Sequence, residues 1–164
     1  TTCRRQRQMC IRDRVKAIGL SGTQASYDIE NRWINDVFVD FNILWEDLIP
    51  VMEEAGVFFR MYGISSWEEY ESPEIDEYRQ KVDMLSLLSS DDPEIWVSNV
   101  GEGLPNGMPS TSNELNHHPF HAREIKEFAD AVGVANVCKY GNPILYEDLN
   151  FESWHDFFIQ KLNE

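Results

Sequence analysis

The chain has 164 residues, 14 Lys+Arg against 29 Asp+Glu and a formal charge of −15, which by length is a single domain. So acidic a balance argues against nucleic acid and anionic membrane as partners, because both require a basic face. Hydrophobic residues make up 42% and aromatics 12%, too rich for a disordered chain, and no apolar run nears the ~18–20 residues of a membrane span.

The opening stretch, TTCRRQRQMCIRDR, holds five Arg and one Asp, whereas the other 150 residues hold nine Lys+Arg and 28 Asp+Glu. It has no apolar period of either the strand or the helix kind, and no apolar core of a signal peptide. One reading is a basic arm that binds something acidic. The other is a leader of non-natural origin, since QMCIRDR resembles translated adapter sequence at the ends of reading frames from environmental sequencing. The second is the expectation adopted here: residues 1–14 are a non-native or disordered leader, and residues 15–164 are a partial domain whose natural start lies upstream. The three cysteines, Cys3, Cys10 and Cys138, form no CxxC pair, so no disulfide framework or zinc knuckle is indicated.

Val15–Leu20 is a short apolar run ended by Ser-Gly, which predicts a buried strand. A helical excursion over about 33–90 follows. Within it, Asp47–Tyr62 has a helical pattern with Gly56 as a weak point. Ser72-Pro73-Glu74 predicts a helix start, with Ile75, Tyr78, Val82 and Leu85 on one face. Asp91-Asp92-Pro93 is a break, and Glu94–Asn99 predicts a second buried strand. Val100–Asn116 is the longest irregular stretch. Pro119–Val132 is the clearest helix, with Ala122, Ile125, Phe128, Ala129 and Val132 as its stripe and Gly133 as its C-terminal cap. Ala135–Tyr140 predicts a third strand, Gly141-Asn142-Pro143 a turn, and Phe151–Leu162 a last helix capped by Asn150. Strand, helix and strand over 94–140 form a βαβ unit, so the fold class is α/β with parallel strands.

In open parallel sheets ligands bind beyond the carboxyl ends of the strands. Three of the four histidines, His117, His118 and His121, cluster after the second such end beside Glu114. Three readings of that cluster stand. The side chains satisfy the backbone of a turn and a helix start; or His117 or His118 does acid–base work with Glu114 orienting or balancing the ring; or Glu114, His117 and His121 hold a metal, although Pro119 interrupts their spacing. Ser21 is a further candidate. VKAIGLSGT approaches the G-x-S-x-G elbow that exposes a nucleophilic serine, but Thr23 replaces the second glycine. A plain strand-end serine is the alternative.

VKAIGLSGTQASYD with Arg32-Trp33, then YGISSWEEYESPEIDEYRQKVDMLSLLSSDDPEIWVSN, then HHPFHAREIKEFADAVGV, together resemble the C-terminal half of the α/β-hydrolase superfamily, in particular bacterial carboxylesterase/lipase-like members. The resemblance covers about residues 15–140. It implies the C-terminal part of a doubly wound, mainly parallel sheet with flanking helices, and ester hydrolysis by a serine, an acid and a histidine without metal or cofactor. The nucleophile and the oxyanion-hole donors would then lie upstream of Val15. The acid falls in the loop after EIWVSN, where Glu114 matches by spacing and would orient the histidine. The family histidine belongs to the turn at 141–150. No histidine stands there, and His155 falls inside the last helix.

The expectation is therefore the C-terminal fragment of an esterase-like α/β-hydrolase, inactive by itself, whose parent takes a small-molecule ester. The first rival is a non-catalytic α/β binding module that uses the long loop and the aromatic-rich 33–62 segment. The second is a metal-dependent hydrolase built on Glu114, His117 and His121. A half sheet would leave an open edge and bare aromatic surface, including Trp33, Trp45, Phe58 and Phe59, so self-association is expected.

Overall fold

The computed structural model describes residues 15–163 apart from Ala55, so the expectation about residues 1–14 lies outside the described residues. Strands β1 (Ala17–Ser21), β2 (Glu94–Asn99) and β3 (Asn136–Gly141) run parallel in the order β1-β2-β3. A fourth strand, β4 (Ile144–Glu147), folds back antiparallel on β3. The fold is α/β with an open, mainly parallel sheet.

The register pairs Leu20 with Val97 and Val97 with Cys138, so these three share one face. Helix α8 (Pro119–Val132) covers that face, and the Cys138 thiol donates to the Ala122 carbonyl at 3.6 Å. Gly19, Trp96 and Val137 share the opposite face. There helix α9 (Trp154–Asn163) comes so close that a Cβ on Gly19 would lie 2.8 Å from the Phe158 ring. Helices therefore occupy both faces of the sheet.

Helix α8 is as the sequence predicts. Pro119 stands in its first turn, Ala122, Ile125 and Ala129 are buried, and Gly133 closes it at φ +81°. Asn150 does not cap α9; the Ser153 hydroxyl does, accepting from the Asp156 N–H at 3.3 Å. The hairpin to β4 is absent from the sequence expectation, which has only a turn at Gly141-Asn142-Pro143 before the last helix.

Between β1 and β2 lie α1 (Ile29–Val37), α2 (Trp45–Glu54), α3 (Val57–Tyr62), α4 (Trp67–Tyr70), α5 (Pro73–Lys81) and α6 (Met84–Leu87). The first is a π-helix whose Ile29, Trp33 and Val37 are buried, and it packs on α8. The sequence offers no helix there, because an i→i+5 ladder has no familiar apolar period. The expected helix over 47–62 is broken at Gly56, which sits at φ +57°. The stripe expected on α5 is corrected as well: Tyr78 is 42% exposed, Leu85 belongs to α6, and no residue of α5 is fully buried. Short helices survive here through aromatic packing. Trp33, Phe38 and Phe58 are fully buried, so the expected exposure of Trp33 and Phe58 is not found.

Strand β1 departs from expectation in the other direction. A run such as VKAIGL predicts burial on both faces, yet Ile18 is 37% exposed and Gly19 and Ser21 are exposed. Among the described residues β1 pairs with β2 alone. Its other edge has no strand partner among the described residues.

Candidate functional site at the carboxyl ends of the parallel strands

Beyond the carboxyl ends of β1 and β2 lies a cleft of about 370 Å³, lined by Ser21, Gly22, Ser98, Glu102, Asn113 and His117 among others. Its floor is fixed by one buried side chain. The Asn99 Oδ1 accepts from the Thr23 N–H at 3.0 Å, and its Nδ2 donates to the Thr23 carbonyl at 2.9 Å and the His118 carbonyl at 3.0 Å. A single amide thus completes the end of the sheet and joins three segments of chain. Behind it, Gln24 Nε2 donates to Asn116 Oδ1 at 3.2 Å, and Asn116 Nδ2 donates to the Ser112 carbonyl at 2.7 Å.

The wall is helix α7 (Ser112–His117), which interrupts the stretch expected to be irregular. Thr111 is its N-cap and accepts from the Glu114 N–H at 3.2 Å. The Glu114 carboxylate reaches back to the Ser110 N–H at 2.7 Å and the Ser110 hydroxyl at 2.9 Å. This is capping-box chemistry at a helix start. Those Ser110 bonds hold the exposed Glu114 carboxyl below the usual carboxylate range.

Pro119 ends α7 and starts α8, and the kink sends the three imidazoles in different directions. His118 is fully buried: its Nε2 donates to the Gly107 carbonyl at 2.9 Å, and its Nδ1 caps α8 by accepting the Phe120 N–H at 3.2 Å. Burial lowers its pKa. His121 is also fully buried, with Nδ1 accepting from the Ala25 N–H at 3.2 Å and Nε2 donating to the Leu115 carbonyl at 2.8 Å. Burial lowers it to about 3, against the opposing Leu115 bond. Both rings are occupied at both nitrogens. They hold the loops together.

His117 differs. It is partly exposed, and its ring lines the cleft with Nδ1 2.6 Å from the Gly22 carbonyl. A carbonyl only accepts, so Nδ1 carries the proton and the neutral ring keeps its lone pair on Nε2. The bond joins the turn after β1 to α7 and fixes tautomer and ring plane together.

Of the residues named from sequence, Ser21 and His117 are brought into one cleft, while His118 and His121 lie beneath it and Glu114 points to Ser110. His155 lies at the start of α9, its ring stacked on Trp154 at 3.5 Å between centroids. Glu114, His117 and His121 are not gathered: among the described residues no group of three or more His, Cys, Asp or Glu could hold a metal ion. The sequence reading passed over Glu102, the carboxylate that does line the cleft, and Asn99 as its anchor. Asn99 had a signal, since it is the last residue of a strand whose carboxyl end faces the site. Glu102 had none.

No family model, curated protein or solved structure matches this chain. No helix among the described residues is long and apolar enough to cross a membrane.

Proposed function

We propose that this chain is the C-terminal part of an esterase-like α/β-hydrolase with a doubly wound sheet, and that the cleft over β1 and β2 forms one wall of its ester site. The observation that carries this reading is His117, an imidazole with a fixed tautomer at the carboxyl end of a parallel sheet whose outer β1 edge has no strand partner among the described residues. A further parallel strand added at that edge would end beside Ser21 and Gly22. A serine following it would then face the His117 Nε2.

In that arrangement the serine oxygen attacks the ester carbonyl and its proton passes to Nε2. The imidazolium returns the proton to the departing alkoxide, and water repeats the sequence to release the acid. The Gly22 carbonyl keeps the ring in the productive tautomer, a task usually given to a carboxylate. Glu102 supplies a negative charge in the same cleft. Glu114 acts by holding the start of α7, and with it the position of His117. Ser21, exposed at the strand end, is the alternative nucleophile among the described residues.

Fluorophosphonate labelling and p-nitrophenyl ester turnover test the reading. The 164-residue chain shows neither above background. The protein extended by its natural upstream coding sequence shows both, the label falls on a serine in the added segment, and His117→Ala lowers kcat by about a hundredfold or more. Turnover by the present chain that is lost in Ser21→Ala would overturn the upstream serine. An extended protein that takes no label favours a non-catalytic binding module, the reading suggested by the absence of histidine from 141–150.

A further inference from the structure

Away from the strand ends, the helical excursion contains a second cavity of about 490 Å³, lined by Glu30, Trp45, Ile49, Trp67, Tyr70, Glu71 and Arg79. Trp45 and Tyr70 are nearly parallel, 5.8 Å apart and inclined by 22°. Trp67 stands at right angles to both, at 89° to Trp45 and 86° to Tyr70. Three large rings thus form a corner, and the carboxylates of Glu30 and Glu71 border it.

We propose that this cavity binds a small organic cation with an alkylated ammonium head, held by the indole rings of Trp45 and Trp67 and by the carboxylate of Glu71. The inference is independent of the ester-hydrolase reading. An aromatic ring carries negative potential on its face and attracts a cation placed over it, most strongly where the cation is weakly hydrated. An alkylated ammonium loses little hydration on entering such a corner, whereas a bare ammonium loses much.

Arg79 shows that this wall accepts positive charge. Its guanidinium lies 4.7 Å from the Tyr70 ring centroid. The same group is held in place by its outer nitrogens. One donates to Glu30 and to the Tyr70 hydroxyl, and the other donates to Asp76 at 3.0 Å. Its Nε is buried.

The surroundings favour a cation as well. Residues 68–77 carry Glu68, Glu69, Glu71, Glu74, Asp76 and Glu77 against Arg79 and Lys81 close by in sequence, within a chain of net charge −15. Such a field raises the local concentration of cations. The cavity volume falls within the range of small-molecule sites, so the head group enters with part of its substituent.

The test is a titration of the full chain with choline chloride, read by the indole N–H resonances of Trp45 and Trp67. Controls are 3,3-dimethylbutan-1-ol, the neutral analogue of the same shape, and sodium chloride at matched ionic strength. Choline should shift both resonances saturably, and the neutral analogue should bind at least about tenfold more weakly. Glu71→Gln, at an exposed position that leaves the fold intact, should weaken choline several-fold. Trp67→Leu should abolish binding, and Trp67→Phe should retain part of it. Equal binding of the neutral analogue, no saturable shift, or indifference to Glu71→Gln would each overturn the proposal. A trimethyllysine peptide that binds where choline does not would move the site to a modified protein and overturn the small-molecule assignment.

Discussion

Burial lowers the His121 imidazole to about 3, and its partners, the Ala25 N–H and the Leu115 carbonyl, are satisfied only by a neutral ring. In the unfolded chain the same group titrates near 6.5. Above that pH both states hold a neutral ring, and the native bonds contribute fully. As pH falls from about 6.5 towards 3 the unfolded state takes up a proton that the native state refuses. Stability then falls by up to about 1.4 kcal/mol per pH unit from this group. Burial lowers His118 in the same direction. Urea melts at pH 7 and pH 4.5 should show this loss, and His121→Asn should flatten the difference while lowering stability at pH 7. An unchanged slope in the variant would place the acid sensitivity elsewhere. Asn99 gives a second expectation. Asn99→Ala leaves the Thr23 N–H and two carbonyls without partners and should cost about 1–3 kcal/mol. Asn99→Asp should cost more near neutral pH, because it sets a carboxylate oxygen against the carbonyls of Thr23 and His118.

At the scale of elements, the β3–β4 hairpin depends on one backbone conformation. Gly141 sits at φ +105°, and a Cβ there would lie 2.5 Å from the Leu145 nitrogen and 2.8 Å from the Pro143 oxygen. Neither contact belongs to a flexible side chain. Gly141→Ala should therefore cost about 1–3 kcal/mol and detach β4. Gly133→Ala, at φ +81° with open space around its Cβ, should cost about 1 kcal/mol. Comparison of their urea midpoints, with hydrogen exchange in β4, checks this, and equal effects would refute a steric cause. The same elements show what a sequence reveals. Helix α8 was legible because a proline start, an apolar stripe and a glycine stop agree with one another. Strand β4 was not, since four residues after a Gly-Asn-Pro turn carry too little pattern to separate strand from loop. The position of the histidine cluster was legible, as it follows a strand end and precedes a helix. Which ring faces the cleft was not, because the chain turns at His118, held at φ −53° and ψ 139° before Pro119, and only the packed structure fixes that kink. The exposure of β1 was hidden for a related reason: VKAIGL reads alike whether one neighbour flanks it or two.

For the whole molecule, the open edge of β1 and the outer surface of α9 determine how copies behave together. Among the described residues the edge has no strand partner beside Ile18, and α9 exposes Trp154 at 48%, Ile159 at 60% and Leu162 at 77%. An uncovered parallel edge next to apolar surface is a template for pairing with another chain. The net charge of −15 opposes that contact, since two copies repel before their edges meet. Salt decides between the two effects. Screening shortens the reach of repulsion from about 10 Å at 0.1 M to about 3 Å at 1 M and leaves the apolar contact intact. Sedimentation velocity should thus show association that grows with protein concentration and with sodium chloride, the reverse of an assembly held by ion pairs. Ile18→Lys places a charge on the exposed edge and should return the chain to monomer at high salt, whereas Leu162→Lys, at the far end of α9, should act more weakly if the strand edge is the main contact. A monomer at every salt concentration, unchanged by Ile18→Lys, would mean that the edge attracts nothing. The case for a missing neighbouring strand would fall with it.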